Sequence, residues 1–523
     1  MGGKGAAPDA IVIGSGIGGL AAAAALATQG RRVVVLERHV KPGGLTQSFE
    51  RDGFRFNVGV HYLGGFGPGS LNRRLFDLLG GDRIELAAIP GTYDRIHFPD
   101  FEIAFAPPRA TLVQTLKSAF PDEGAGIDRY FDAIDHGVRA LGAAFITHSA
   151  PSLVAKTMQW LRGAEIDHWV GRTTWDVVCE CVHDPRLRAV LCAQWGDYGS
   201  RPQESSFAMH ATVARHYFDG AWYPVGGSAS FAREMGETIA AAGGAIRTGA
   251  EVVAIRTHER RVAGVTLASG EMIDAPCVIS DAGVRNTLRM LPSQDVDYAW
   301  ASDVLELEPS FGHVALYLGI EGEIGALGAD SANEWIYESW DVNALWRDPF
   351  TQARAPALFV SFPSLRDPAH DPGPRGRHTA EVVALIDWGV FAQWDRSLEP
   401  GGMKAGAAAA ERSDSYRAFK ALLEQNLLAQ FAQHFPQIAA RVVHHDASTP
   451  ISVATVIGSE HGAIYGLETS PRRFLSNALR PRTPVGGLFL AGQDACTPGI
   501  AGAMMGGLMA AANVEPKLWP MLH

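Results

Sequence analysis

At 523 residues the chain is too long for one hydrophobic core and long enough for two or more domains. Its 19% charged and 47% hydrophobic content is that of a globular protein, and a net charge of -11 argues against a nucleic-acid partner or a general attraction to anionic membrane. Five cysteines are few and odd in number, and Cys179 and Cys181 stand too close for the usual zinc pair, so neither a disulfide framework nor a metal site is expected.

Asp9-Ala-Ile-Val-Ile-Gly-Ser-Gly-Ile-Gly-Gly-Leu predicts a short buried strand, a glycine turn and the start of an alanine-rich helix. Val33-Val-Val-Leu-Glu37 predicts a second strand ending in an acid, which completes a βαβ dinucleotide-binding unit. Gly14 permits the tight turn, Gly16 admits a pyrophosphate close to the backbone, and Gly19 lets helix and strand approach. Phosphate is then expected on the free N–H groups at the helix start. Glu37 follows Gly14 by about the twenty residues expected of the acid that bonds a ribose 2′-hydroxyl. The uncharged run 10–28 approaches the length of a membrane span, but Asp9, the internal glycine turn and the excess of Ala over Leu assign it to the buried strand and helix. A cytoplasmic protein without transmembrane helices is expected.

Gly64-Gly-Phe-Gly-Pro-Gly-Ser is a loop leading out of the cofactor domain. Helical periodicity over 111–120 and 127–145 predicts a helix-rich insert. A helix over 153–162, with Trp160 beside Lys156 and Arg162, either dips into a membrane surface or faces its own core. Residues 243–255 and 261–271 predict a strand and a hairpin, and 277–283 another short buried strand. A second excursion, from about 291 to 479, has strands at 313–320 and 381–387 that suit a sheet over a substrate cavity. Its Trp388, Phe391 and Trp394 either line an apolar tunnel or pack in a core. Gly487-Leu-Phe-Leu-Ala-Gly-Gln-Asp494 is a final buried strand, and Pro498-Gly-Ile-Ala-Gly-Ala-Met-Met-Gly-Gly-Leu a helix whose Gly502 and Gly506 allow close packing.

The stretch after Glu37, Arg38-His-Val-Lys-Pro-Gly-Gly-Leu-Thr-Gln-Ser-Phe with Gly53-Phe-Arg-Phe-Asn-Val-Gly-Val-His-Tyr, resembles the second fingerprint of FAD proteins of the glutathione reductase and amine oxidase type. Together with Gln194-Trp-Gly-Asp-Tyr-Gly, Tyr223-Pro-Val-Gly-Gly-Ser, Phe362-Pro-Ser-Leu-Arg-Asp-Pro and Leu490-Ala-Gly-Gln-Asp, it resembles the phytoene desaturase and carotenoid isomerase superfamily, nearest its retinol saturase-like branch. The resemblance implies an α/β fold, a Rossmann-type FAD-binding domain with an inserted α+β substrate domain. The expected division is a cofactor domain from 1–66, 223–290 and 483–523, and a substrate domain from 67–222 and 291–482.

By the same resemblance FAD lies against Gly14, Ser15, Gly16, Ile17, Gly18, Gly19, Glu37, Arg38, Gly43, Gly44, Leu45, Thr46, Val60 and His61. Val252 presents its backbone to the adenine, Asp494 after Gly492 bonds the ribityl or pyrophosphate region, and the helix start at Ile500 and Ala501 points at the flavin. The implied reaction saturates, desaturates or isomerises a long apolar lipid, a polyene or a fatty acyl chain, with peripheral membrane contact. Leu365-Arg366 within the Phe362 motif departs from the animal retinol saturases. His61 and Tyr62 are candidates for proton donor or positioning, or are packing residues. No second GxGxxG follows a strand, so the electron source is NAD(P)H reacting directly, a separate reductase or a quinone. Competing readings are an amine oxidase, a reduced-FAD isomerase and a lipid carrier.

Overall fold

The computed structural model describes residues 7–149, 152–394 and 413–522. Its first layer is a five-stranded sheet in the order Ala245–Arg247, Val33–Leu36, Ala10–Ile13, Val278–Ser280, Leu488–Leu490. Every pairing is parallel, with Ile11 opposite Val34 on one side and Val278 on the other. Side chains of a strand alternate between faces, so the run Ala10–Ile13 serves two cores at once. Ala10 and Val12 pack with Val33 and Val35 against the helices, whereas Ile11, Ile13 and Leu36 meet Ile255 and Val265 of the antiparallel strands Val252–His258 and Arg261–Leu267.

Helix Ile17–Thr28 is buried from Ile17 to Ala27, which an amphipathic surface helix never is. Its small side chains let the helix Gly499–Val514 come to backbone contact. A Cβ on Gly507 would lie 2.0 Å from the Gly18 carbonyl oxygen, and one on Gly506 would lie 2.2 Å from that of Gly492. The C-terminal helix is thereby locked onto the glycine turn. The GxxxG spacing at Gly502 and Gly506 thus serves packing within the chain, as the sequence suggests.

Two further helices, Leu71–Gly80 and Ala229–Ala241, close this face, with Phe76 and Phe231 in edge-on contact at 5.1 Å. The first is amphipathic and begins at Ser70, whose side chain accepts the Arg73 N–H. Leu63–Gly64 pairs with Ala221–Pro224, which also pairs with Leu86–Ala88. This small sheet returns the chain from the insert to the end of the cofactor layer.

The second layer is a seven-stranded sheet in the order Val442–Ser448, Gly312–Glu321, Arg377–Ile386, Ala357–Ser361, Asn333–Tyr337, Asp94–Phe98, Phe101–Phe105. All its pairings are antiparallel except that of Asn333–Tyr337 with Asp94–Phe98. One face, carrying Val314, Leu316, Val360 and Val382, packs on helix Asp414–His434. Phe391 and Trp394 belong to that core, both within ring contact of Phe419, and Trp388 stacks on His461. They line neither of the cavities described below. The other face, carrying Trp335, Tyr337 and Phe359, turns toward a helical bundle.

In that bundle the helices expected over 111–120 and 127–145 appear as Arg109–Ala119 and Gly124–Ser149. The hairpin Asp94–Phe98 and Phe101–Phe105 from the same stretch instead extends the seven-stranded sheet. The helix expected over 153–162, facing either a membrane surface or its own core, lies within Ser152–Val170, but the side chains of Lys156 and Trp160 fall outside the described residues.

The two kinds of helical glycine make opposite predictions. Gly507→Val drives side-chain carbons into the Gly18 carbonyl and is expected to cost roughly 3 kcal/mol, read as a fall in the melting temperature and in retained flavin. Gly142 lies exposed in Gly124–Ser149 with nothing near its Cβ position, so Gly142→Ala is expected to gain roughly 0.5–1 kcal/mol in the same melt.

Candidate active site

The glycine turn, the end of the second strand and the Gly43-Gly44 pair form one hydrogen-bonded unit. Gly14 has φ +94°, a conformation that L side chains rarely adopt. Glu37 is buried, and its Oε2 accepts both the Ser15 N–H at 3.0 Å and the Ser15 hydroxyl at 2.6 Å. Its Oε1 accepts the His39 N–H at 2.7 Å. Ser15 Oγ in turn accepts the Gly43 N–H at 3.0 Å, and a Cβ on Gly44 would lie 3.1 Å from Gly16 Cα. The second fingerprint is therefore packed directly on the first.

A cavity of ≈ 580 Å³ runs along this unit. Gly14, Ser15, Gly16, Ile17, Gly18, Glu37, Arg38, Gly43, Gly44, Leu45, Thr46, Val60 and His61 line it, as do Val252, Asp494, Ile500 and Ala501. Gly19 and Gly492 stand behind the lining, where they allow close approach. A Cβ on Gly19 would meet the Gly14 carbonyl oxygen at 2.2 Å, and one on Gly492 would meet Asp281 Oδ1 at 2.0 Å. Arg38 donates to the carbonyls of Ala454 and Thr455, which fixes the helix Pro450–Val456 at the cavity mouth. Asp494 accepts the N–H of Val284 at 3.0 Å and of Leu467 at 3.2 Å.

The residues present fit FAD. The helices Ile17–Thr28 and Gly499–Val514 both begin on the cavity, and neither has a side-chain cap or an acid in its first turn. Free N–H groups at a helix start favour an anion, here the pyrophosphate at one and the electron-rich edge of the flavin at the other. Asp281, which the sequence reading passed over, sits between them and accepts the Gly19 N–H; burial still pushes its carboxyl up to about 7. Its only sequence signal is its place at the end of the strand in 277–283.

At the far end, His61 and Tyr62 leave the strand side by side with different partners. His61 Nδ1 lies 3.0 Å from Glu381 Oε2 and 3.3 Å from Ser361 Oγ. Its backbone carbonyl accepts from Arg366, whose guanidinium also donates to the carbonyls of Ser331 and Ala332. The Arg366 of the unusual Phe362 motif is thus a tie between the sheet and the flavin-side loop. Tyr62 stacks on Tyr217 at 4.4 Å, and its hydroxyl lies 2.7 Å from Asp197 Oδ2 and 3.1 Å from Asp94 Oδ2. Asp94 also accepts from Gln194 at 2.7 Å and from Asn333 at 2.8 Å. Burial pushes Asp94 up to about 6 and Asp197 well above the usual carboxylate range, and it raises the Tyr62 phenol too. Sequence reading singled out the 194–202 stretch only as a motif, because Asp94 and Asp197 meet Tyr62 only in three dimensions.

A second cavity of ≈ 110 Å³ adjoins the first, and Leu45, Gly59, His61, Asp197, Ile464 and Tyr465 line both. Its walls join the aromatic Trp195, Trp335, Tyr337 and Phe359 with aliphatic Leu358, Val383 and Leu385.

Comparison with known proteins places this geometry. Residues 12–79 match the model of an NAD(P)-binding Rossmann-like domain. A solved putrescine oxidase bound to putrescine superposes with a TM-score of 0.63 at 14% identity, over 97% of this chain and 98% of the other, a likeness of fold. The chain is 25% identical to the chloroplastic prolycopene isomerase of Daucus carota, over 98% of its own length and 80% of the relative's. It is 32% identical to the all-trans-retinol 13,14-reductase of Danio rerio, over 96% of its own length and 84% of the relative's. With this full-length likeness and a glycine turn, acid and paired helix starts suited to FAD, the chain belongs to the carotenoid desaturase and isomerase group of FAD oxidoreductases, alongside the retinol 13,14-reductases.

Proposed function

We propose that the protein acts on a carbon–carbon double bond of a long apolar lipid, a carotenoid- or retinoid-like polyene or a fatty acyl chain, which it saturates or desaturates. The observation that carries this reading is the aromatic second cavity meeting the first at His61 and Asp197. An isolated alkene offers no charge to hold, so its binding rests on apolar burial and alignment. Trp195, Trp335, Tyr337 and Phe359 supply such a wall. The names of the relatives, a retinol reductase and a prolycopene isomerase, point to the same substrate class.

Bound FAD would supply hydride chemistry at its N5. The chain's own residues bind and orient it. Glu37 would hold the adenosine ribose, the helix start at Ile17 the pyrophosphate, and the helix start at Gly499 the electron-rich edge of the ring. The sequence offers one dinucleotide turn, which the flavin would occupy, so NAD(P)H is proposed as a donor that reacts directly with the flavin, against a separate reductase or a quinone. Anaerobic mixing with NAD(P)H should bleach the flavin's visible absorbance, and a flavin reduced only by a separate reductase or a quinol would discard that donor.

The direction of reaction is read from product mass. Flavin-loaded protein, oxidised and separately prereduced, is incubated with polyenes and lipid extract. A gain of two hydrogens with reduced protein is expected of a saturase, and a loss with oxidised protein of a desaturase. An unchanged mass with altered retention would make it an isomerase, as the prolycopene isomerase relative suggests. Peroxide formed from amines would replace the lipid reading with an amine oxidase.

Glu37→Ala removes the acceptor of the Ser15 and His39 amides as well as the proposed ribose contact. Losing hydrogen bonds to a charged group costs about 1.5–3 kcal/mol, so FAD affinity should fall roughly 10- to 100-fold, measured by fluorescence titration of apoprotein.

An insoluble substrate further implies collection at a membrane surface. No described helix is long and apolar enough to cross one, so the contact proposed is peripheral. Liposome flotation should carry the protein up, and Trp160→Ala should reduce the floated fraction. A protein that stays at the bottom with Trp160 intact would remove membrane contact from the proposal.

A further inference from the structure

Tyr62 has a single O–H, yet two carboxyl oxygens lie within hydrogen-bond reach of it, on Asp197 and on Asp94. With both acids ionised, one of those contacts would set two lone pairs against each other, in a site where two negative charges also repel. A second proton therefore belongs to the group. Asp94 is fully buried and receives the amide N–H groups of Gln194 and Asn333 in addition, which stabilises it as a carboxylate. Asp197 has Tyr62 as its only hydrogen-bond partner among the described residues. The consistent pattern is Asp197 O–H donating to Tyr62, and Tyr62 O–H donating to the Asp94 carboxylate.

Position separates the three groups further. Asp94 lines neither cavity, Tyr62 lines the first, and Asp197 lines both. We infer that Asp197 is the catalytic proton donor, giving its carboxyl proton to one alkene carbon, with Tyr62 and Asp94 positioning it. This inference rests on the double-bond reading above.

In saturation the Asp197 proton would form a C–H bond at one alkene carbon as the π bond breaks, its neighbour receiving the hydride that bound reduced FAD would supply as a two-electron donor. Asp197 would be left as a carboxylate, which solvent reprotonates. In desaturation the Asp197 carboxylate would take the proton, and bound oxidised FAD would be the two-electron acceptor for the hydride. The direction of the pKa shifts agrees with the geometry. Burial and the neighbouring Asp94 hold Asp197 well above the usual carboxylate range, so it keeps a proton where ordinary carboxylates have lost theirs. Tyr62 is pushed well above 10, which makes the phenol a poor acid toward carbon. The other titratable groups facing this cluster include Tyr93, Tyr198, Tyr217, Tyr337, Tyr465 and Arg366.

The test uses full-length, flavin-loaded protein and the isosteric variants Asp197→Asn and Asp94→Asn, with Tyr62→Phe as a third. Infrared spectra near neutral pH should contain a protonated-carboxyl C=O band that shifts in D2O. Asp281, pushed up to about 7, contributes to every spectrum, so the Asp197 component is read as the wild-type minus Asp197→Asn difference, and that component should move in Tyr62→Phe. A component that survives in Asp197→Asn but is lost in Asp94→Asn would place the proton on Asp94 and overturn the inference. In single turnovers of prereduced protein, Asp197→Asn should reduce the polyene about 10²- to 10⁴-fold more slowly with unchanged flavin content. Tyr62→Phe, which removes the hydrogen bond that positions Asp197, should slow turnover less than Asp197→Asn does and shift its pH profile. Full turnover in Asp197→Asn, while wild type adds two hydrogens, removes Asp197 alone. Wild-type protein that changes no polyene's mass, with the infrared band in place, removes the double-bond reading and the donor role with it.

Discussion

The backbone contact between Gly507 and Gly18 is the constraint on which the rest of the site depends. A dinucleotide needs an anion-binding helix start at its pyrophosphate and a second favourable edge at its ring. Here both come from helices that touch each other, one from the N-terminal and one from the C-terminal end of the chain. Only helices free of side chains at the crossing can approach so closely. Ala21 to Ala25 and the pair Gly506 and Gly507 therefore do for the cofactor what no binding residue does, since they set where the two helix starts lie relative to one another.

Distance from that contact sorts the polar groups by role. Near it, carboxylates accept backbone amides: Glu37 from Ser15 and His39, Asp494 from Val284 and Leu467. These acids hold loops in place and keep lone pairs for a ligand. At the far end, Asp94 and Asp197 share one phenol, Asp94 alone also accepts from the amides of Gln194 and Asn333, and burial raises both. Carboxyl groups thus accept backbone amides at one end and share a phenol at the other, because their surroundings differ. Arg366 connects the regimes mechanically, tying the His61 carbonyl to residues 331 and 332 of the substrate sheet.

Aromatic residues divide in a comparable way between the two faces of the seven-stranded sheet. Trp335 and Phe359 stand on the face toward the second cavity, while Phe391 and Trp394 fill the core on the opposite side with helix Asp414–His434. Nothing in composition distinguishes a tunnel tryptophan from a core tryptophan. The face of the sheet on which its element packs decides which it becomes.

The cofactor half was legible in the sequence because its constraints are local. Gly14 at positive φ, Glu37 about one βαβ step later and Gly43-Gly44 behind it act over a few tens of residues and line one cavity. The acid cluster was not legible, because Asp94 lies on a sheet hairpin and Asp197 in a short turn, with Tyr62 in the loop before Leu63–Gly64. Asp281 stayed hidden for a similar reason: its carboxyl is aimed at glycines 14 to 19 by the pairing of Ile11 with Val278. The sequence by itself determined the dinucleotide turn, its acid and the interrupted course of the cofactor layer, since short-range backbone geometry dictates residue type there. Only the tertiary structure decided which carboxyls meet around one phenol, because shared hydrogen bonds depend on neighbours that the chain brings from far apart.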